Sequence, residues 1–99
     1  MRIIKRVTLA QYAADHAASR AALAIWQERT RRARWTHPDN LLSDFPSAKV
    51  LNAERVRFEI GNNHRLVAAI FYPAQTVYIK FIGTHAEYDK INALTVGLY

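Results

Sequence analysis

Four side chains carry most of the chemistry this sequence can offer: Arg57 and Arg65 in mid-chain, and His85 and Tyr88 near its end. Histidine exchanges a proton closest to neutral pH of any side chain. Guanidinium groups hold phosphate bidentately and offset negative charge that builds on it. Together these residue types suit RNA cleavage in which the ribose 2′-OH is the nucleophile. The protein then need only orient that hydroxyl, move protons and stabilise the phosphorane. Tyr88 stands one helical turn after His85, where it can stack on a base, share proton duties or simply pack beneath the strand. The chain has no Gly-rich phosphate loop, no Ser-His-Asp spacing and no metal-ligand cluster, and its four histidines are scattered singly, so no cofactor or metal is expected.

Local sequence places His85. The apolar run Val77 to Ile82 reads as a buried strand that Gly83 breaks. Thr84 with Glu87 three residues later forms a capping-box pattern, which starts a short helix. His85 then lies in the first turn, where the positive end of the helix dipole disfavours a protonated imidazole. A neutral imidazole can accept a proton. A purely structural role for His85 stays open, and Glu87 reads as a cap rather than a catalyst.

Strand pairing brings the arginines to the same place. From Arg55 to Ile60 the chain alternates, with Val56, Phe58 and Ile60 on one face and Arg55, Arg57 and Glu59 on the other. Gly61-Asn62-Asn63 is turn chemistry, His64 to Tyr72 a second strand, Pro73-Ala74-Gln75 another turn, and Thr76 to Ile82 a third strand. These turns pair Ile60 with His64, Glu59 with Arg65, Tyr72 with Thr76, and Arg65 with Gly83. Arg55, Arg57, Glu59 and Arg65 then share one face, at the end where His85 emerges. A slip of one residue would undo this. The same register puts Lys80 on the opposite face beside Ala68 and Tyr78, and adds Val67, Ala69, Phe71, Val77, Ile79 and Phe81 to the arginine-bearing face. Such a face needs a cover, supplied by the segment Ala93 to Tyr99 or by a partner protein.

The stretch from Phe81 to Ile91, Phe-Ile-Gly-Thr-His-Ala-Glu-Tyr-Asp-Lys-Ile, resembles the closing motif of the HigB-type toxins of bacterial toxin–antitoxin pairs. Further similar pieces lie upstream in the expected order: Trp35 to Asp39, Phe45-Pro46-Ser47-Ala48, and Arg57 to Leu66. The resemblance implies a RelE-like fold, a ribosome-dependent mRNA endonuclease, and neutralisation by a helix-turn-helix antitoxin of HigA type, with DNA reached only through that antitoxin. Carried over by motif position, Arg57, Arg65, His85 and Tyr88 match the cleavage-site residues. Glu59 stands where asparagine is expected and His64 where an aromatic residue is usual. A carboxylate beside two arginines either pairs with them and weakens phosphate binding, or serves as a second proton acceptor.

Composition sets the outer bounds. Ninety-nine residues suit one domain with a single core, and 51% apolar content with a mean hydropathy of -0.17 suits a folded chain rather than a membrane protein. No run approaches the roughly 20 apolar residues of a membrane helix. Without cysteine there is no disulfide framework, which fits a cytoplasmic protein. Fourteen Lys and Arg against eight Asp and Glu leave +6, which favours a polyanionic partner. Arg55, Arg31, Arg32, Arg34 and Lys90 are the candidate RNA- or ribosome-binding residues. Four arginines between Arg29 and Arg34 exceed what helix capping needs, although a plain solvated face accounts for them equally.

The remaining elements follow from pattern. Met1 to Val7 reads as a strand, and Thr8 with Gln11 as a capping box opening a helix to about Asp15. A second helix from near Ala18 to Arg34 has Leu23, Trp26, Thr30 and Ala33 as its inner stripe. Thr36 to Ser47 reads as loop, pinned by one helical turn at Leu41, Leu42 and Phe45. The expected architecture is a compact α+β domain over residues 1–99: an N-terminal strand, two helices, an antiparallel sheet and a short C-terminal helix. Two other functions fit the same composition: a non-enzymatic toxin of ParE type that inhibits DNA gyrase, and a plain RNA- or ribosome-binding module.

Overall fold

Five strands form one sheet in the computed structural model, which describes residues 1–97; Leu98 and Tyr99, the end of the expected covering segment, lie outside the described residues. Strand β1 (Arg2–Ile4) is followed by helix α1 (Arg6–Asp15), a 3-10 turn at Ala17–Ser19, helix α2 (Arg20–Arg32) and helix α3 (Pro38–Asp44). Then come β2 (Lys49–Val50), β3 (Arg55–Ile60), β4 (His64–Phe71), β5 (Thr76–Thr84) and helix α4 (His85–Tyr88). The spatial order is β1-β5-β4-β3-β2, with β1 parallel to β5 and the other pairs antiparallel. No helix among the described residues is long and apolar enough to cross a membrane.

The helices cover one face. Leu23, Trp26 and Thr30 of α2 and Ala33 just after it are buried, as their spacing predicts, against Val56, Phe58, Ile60, Leu66 and Ala68. Rings organise this core: Phe58 meets Trp26 edge-on at 5.3 Å and Phe45 at 5.2 Å, and Trp35 meets Phe45 at 6.0 Å. The Trp35 indole donates to Asp44 Oδ2 at 2.8 Å, which ties α3 to the chain before it.

Several boundaries differ from expectation. Strand β1 ends at Ile4, and α1 begins at Arg6 behind an N-cap, Lys5, that makes no side-chain capping bond. Thr8 is therefore inside the helix, and its spacing from Gln11 is incidental. Helix α2 stops at Arg32 because Ala33 turns to an extended conformation. The expected single turn near Leu41 is a seven-residue helix with Pro38 in its first turn, where a missing N–H costs nothing. The chain turns to β structure directly after Ala48, with the two-residue edge strand β2.

A β-bulge accounts for the largest difference. At the Gly83 end the pairing is as expected: Ile60 with His64, Glu59 with Arg65, and Arg65 with Gly83. Val67 then pairs with Phe81 but Ala68 with Ile79, so Lys80 is the extra residue, and Thr76 meets Phe71 rather than Tyr72. Beyond the bulge every side chain changes face. Val77 and Ile79 join the core, contrary to expectation, and Tyr78 goes to the open face. Lys80 also lies on the open face, its Nζ 5.7 Å from the Tyr78 ring centre and donating to the Gly97 carbonyl at 3.3 Å. Without the bulge, Val77 would lie in solvent and Tyr78 in the core.

The segment after α4 covers part of that face. Arg55 Nη1 donates to the carbonyls of Ala93 at 2.9 Å and Val96 at 2.6 Å. Gly97 then passes so close to the bulge that a Cβ would lie 2.8 Å from the Lys80 carbonyl oxygen; with φ at +71°, only glycine suits both demands.

Candidate functional site

At the uncovered end of the open face, Arg57 from β3 and Arg65 from β4 lie against the ring of Tyr88, their Cζ atoms 5.8 and 5.1 Å from its centre. The pairing of β3 with β4 aligns the arginines, and α4 brings up the tyrosine. Phe81 supports the ring from the side at 6.3 Å. Gly83, opposite Arg65, keeps this corner open, since a Cβ there would come within 2.6 Å of the Phe81 ring. Glu59 completes the patch: one carboxylate oxygen, Oε1, lies 3.4 Å from both Arg57 Nη2 and Arg65 Nε. Arg57 Nε and Arg65 Nε are themselves buried without a hydrogen-bond partner among the described residues. Two largely buried guanidinium groups thus stand side by side, each with an Nε donor left over.

Helix α4 begins as its sequence predicts. Thr84 Oγ1 accepts from the Glu87 N–H at 3.2 Å, while Glu87 Oε1 accepts from the Thr84 N–H at 2.8 Å. Those hydrogen bonds hold the Glu87 carboxyl below the usual carboxylate range. The His85 N–H donates to the Asn63 carbonyl at 2.8 Å, which ties the helix start to the β3–β4 turn. The His85 ring is half exposed, with Nδ1 3.4 Å from Asp89 Oδ2. Among the described residues nothing links that ring to either guanidinium. Arg57, Arg65 and Tyr88 are thus brought together, and His85 stands apart at the rim, one turn from Tyr88.

The expected binding residues also divide. Arg55 is 3% exposed and its guanidinium holds the chain's own carbonyls, so its place among the RNA-binding candidates gives way to a structural one. Arg31 and Arg32 are exposed and both pair with Glu28, at 2.6 and 2.7 Å, which keeps that carboxyl below its usual range, chiefly through Arg31. Arg34 is exposed and shares a cleft of about 590 Å³ with Arg2, Arg31, Arg32 and Gln75. This cluster sits by the start of β5, and seven strand steps run from Thr76 to Gly83, roughly 23 Å. Lys90 is exposed just beyond α4. Among the described residues no group of three or more His, Asp or Glu side chains is placed to hold a metal ion.

A further cluster of rings, with no role expected from the sequence, joins α1 to β4. Tyr12 Oη and His64 Nδ1 share a 2.7 Å hydrogen bond, and His16 stacks on Tyr12 with ring centres 3.9 Å apart. Tyr12 and His16 are four apart on and just beyond α1, a spacing that could have drawn notice. Burial, and then the nearby His16, push the His64 imidazole below its ordinary value of 6.5, with Glu87 opposing. The unfolded chain therefore takes up a proton at His64 before the folded one does. Stability from this source is complete above about pH 6.5 and falls as pH drops below it, until the folded imidazole also protonates. Melting temperature measured from about pH 7.5 to about pH 5 should fall more for the wild type than for His64→Gln; equal falls would place the acid sensitivity elsewhere.

Comparison with known proteins identifies the family. The model of a family described as HigB toxin, the RelE-like toxic component of a toxin–antitoxin system, matches residues 19–91. The mRNA interferase toxin HigB of Escherichia coli strain K12 is 30% identical over 98 residues, covering 95% of this chain and 93% of the relative. Proteins named mRNA interferase HigB from Escherichia coli O157:H7 and Shigella flexneri match to the same extent.

Proposed function

Because the chain belongs to the HigB family of RelE-like toxins, we propose that it is an endoribonuclease that cuts mRNA on the ribosome without a metal ion. The observation that carries this reading is the pair of guanidinium groups on the Tyr88 ring with their Nε donors unspent. A scissile phosphate seated there has its developing charge matched by Arg57 and Arg65. Tyr88 offers a ring on which a neighbouring base stacks. The ribose 2′-oxygen attacks phosphorus, the bond to the 5′-oxygen breaks, and the products carry a 2′,3′-cyclic phosphate and a 5′-hydroxyl. The proton leaves the 2′-OH and one is delivered to the 5′-oxygen. His85, at the rim and one turn from Tyr88, is the side chain assigned to this transfer.

The arginines at the end of α2 lie too far away to touch the same phosphate. In this reading Arg31, Arg32 and Arg34, with Lys90 nearer the site, hold ribosomal RNA and keep the patch on the message. That places the protein in the cytoplasm. A HigA-type helix-turn-helix antitoxin restrains it, and its acidic surface complements the +6 charge.

In a translation extract with a reporter message, wild-type protein should produce fragments ending in 2′,3′-cyclic phosphate, and His85→Ala should cut about a hundredfold more slowly. Fragments ending in a free 3′-hydroxyl would contradict the chemistry. Intact message together with inhibited DNA gyrase would place the protein with the gyrase-binding toxins instead.

A further inference from the structure

The hydrogen-bond geometry around Glu59 is poor for a carboxylate between two arginines. Charge-assisted N–H···O bonds run at about 2.7–2.9 Å, yet Oε1 stands 3.4 Å from both guanidinium groups and leaves Arg57 Nε and Arg65 Nε unsatisfied. A settled ion pair would close those distances. The carboxylate also has somewhere to go. Strand β2 pairs only with Val56 and Arg57, so β3 is an open edge at Glu59.

We propose that Glu59 is an internal anion that occupies the phosphate position between Arg57 and Arg65 in the free protein and is displaced when substrate binds. This rests on the reading that the two arginines receive the scissile phosphate. Glu59 is then a positioning residue that acts through the arginines. With it in place the patch carries one net positive charge; with it displaced the patch carries two and accepts the phosphorane. A message presented by the ribosome arrives at high local concentration and overcomes the competition, whereas a free strand does so poorly.

The test is titration of inorganic pyrophosphate into the full chain, followed through the NMR signals of the arginine Nε–H groups. Glu59→Gln should bind pyrophosphate about tenfold more tightly than wild type, and the gain should shrink as salt rises. Glu59→Ala should move the same way, and Glu59→Asp should stay near wild type. Equal affinity in wild type, Glu59→Gln and Glu59→Ala would overturn the proposal, as would loss of message cleavage by Glu59→Gln, which would make the carboxylate a proton acceptor. Tighter pyrophosphate binding with no RNA cut by either protein would leave this role for Glu59 standing and remove the nuclease reading instead.

Discussion

Replacing Arg65 with alanine should lower kcat/KM for message cleavage by about two to three orders of magnitude, the usual cost of removing one donor to a developing oxyanion. Arg65 is the guanidinium closer to Tyr88, at 5.1 Å, and it faces Gly83 where the corner is open. Arg65→Lys should recover only part of the rate, because an ammonium supplies charge without the planar fork. Co-sedimentation with ribosomes should change little, since the cluster at the end of α2 is a sheet's length away. Arg57→Ala should act in the same direction. The double substitution should cost less than the sum of the two, because both groups serve one phosphate. Loss of ribosome binding in proportion to loss of cleavage would mean that Arg65 anchors the protein rather than acting on the reacting phosphate.

The largest expected effect on stability is at Trp26. Its side chain is buried on α2, meets Phe58 at 5.3 Å and Phe45 at 6.5 Å, and joins the helices to the strand that carries Arg57. Trp26→Ala should cost about 3–5 kcal/mol, a large share of the roughly 5–15 kcal/mol that holds such a domain together. Trp26→Phe should cost much less. The indole N–H has no acceptor among the described residues, so losing it forfeits no bond and removes a buried unpaired donor. Urea denaturation measures both. Similar midpoints for Trp26→Ala and Trp26→Phe would mean that α2 contributes little to the sheet's stability.

What the sequence made legible follows from how local each signal is. The Thr84–Glu87 capping box needs four residues, and both of its bonds are present. The same pattern at Thr8 and Gln11 has no such bonds, because α1 begins two residues earlier. A three-residue turn of Gly and Asn set the β3–β4 register, and with it the meeting of Arg57, Glu59 and Arg65. Nothing in the residues from Thr76 to Phe81 announces a bulge. Its cause is tertiary: an apolar core on one face and the crossing of Gly97 over Lys80 on the other. The burial of Arg55 was hidden for the same reason, since the carbonyls that hold it lie about forty residues away. His85 lies where the sequence places it along the chain, but its ring lies 3.4 Å from Asp89, four residues on, which no strand-register argument addresses.

The chemistry is tested most directly by a ribosome programmed with a message carrying a single 2′-deoxy nucleotide at the cleavage position. Wild-type protein should cut the all-ribose message and leave the substituted one intact, while binding both ribosomes equally. Cleavage of the deoxy message at an undiminished rate would show that the nucleophile is not the ribose hydroxyl. Arg57, Arg65 and Tyr88 would then serve some purpose other than in-line transfer at that phosphate.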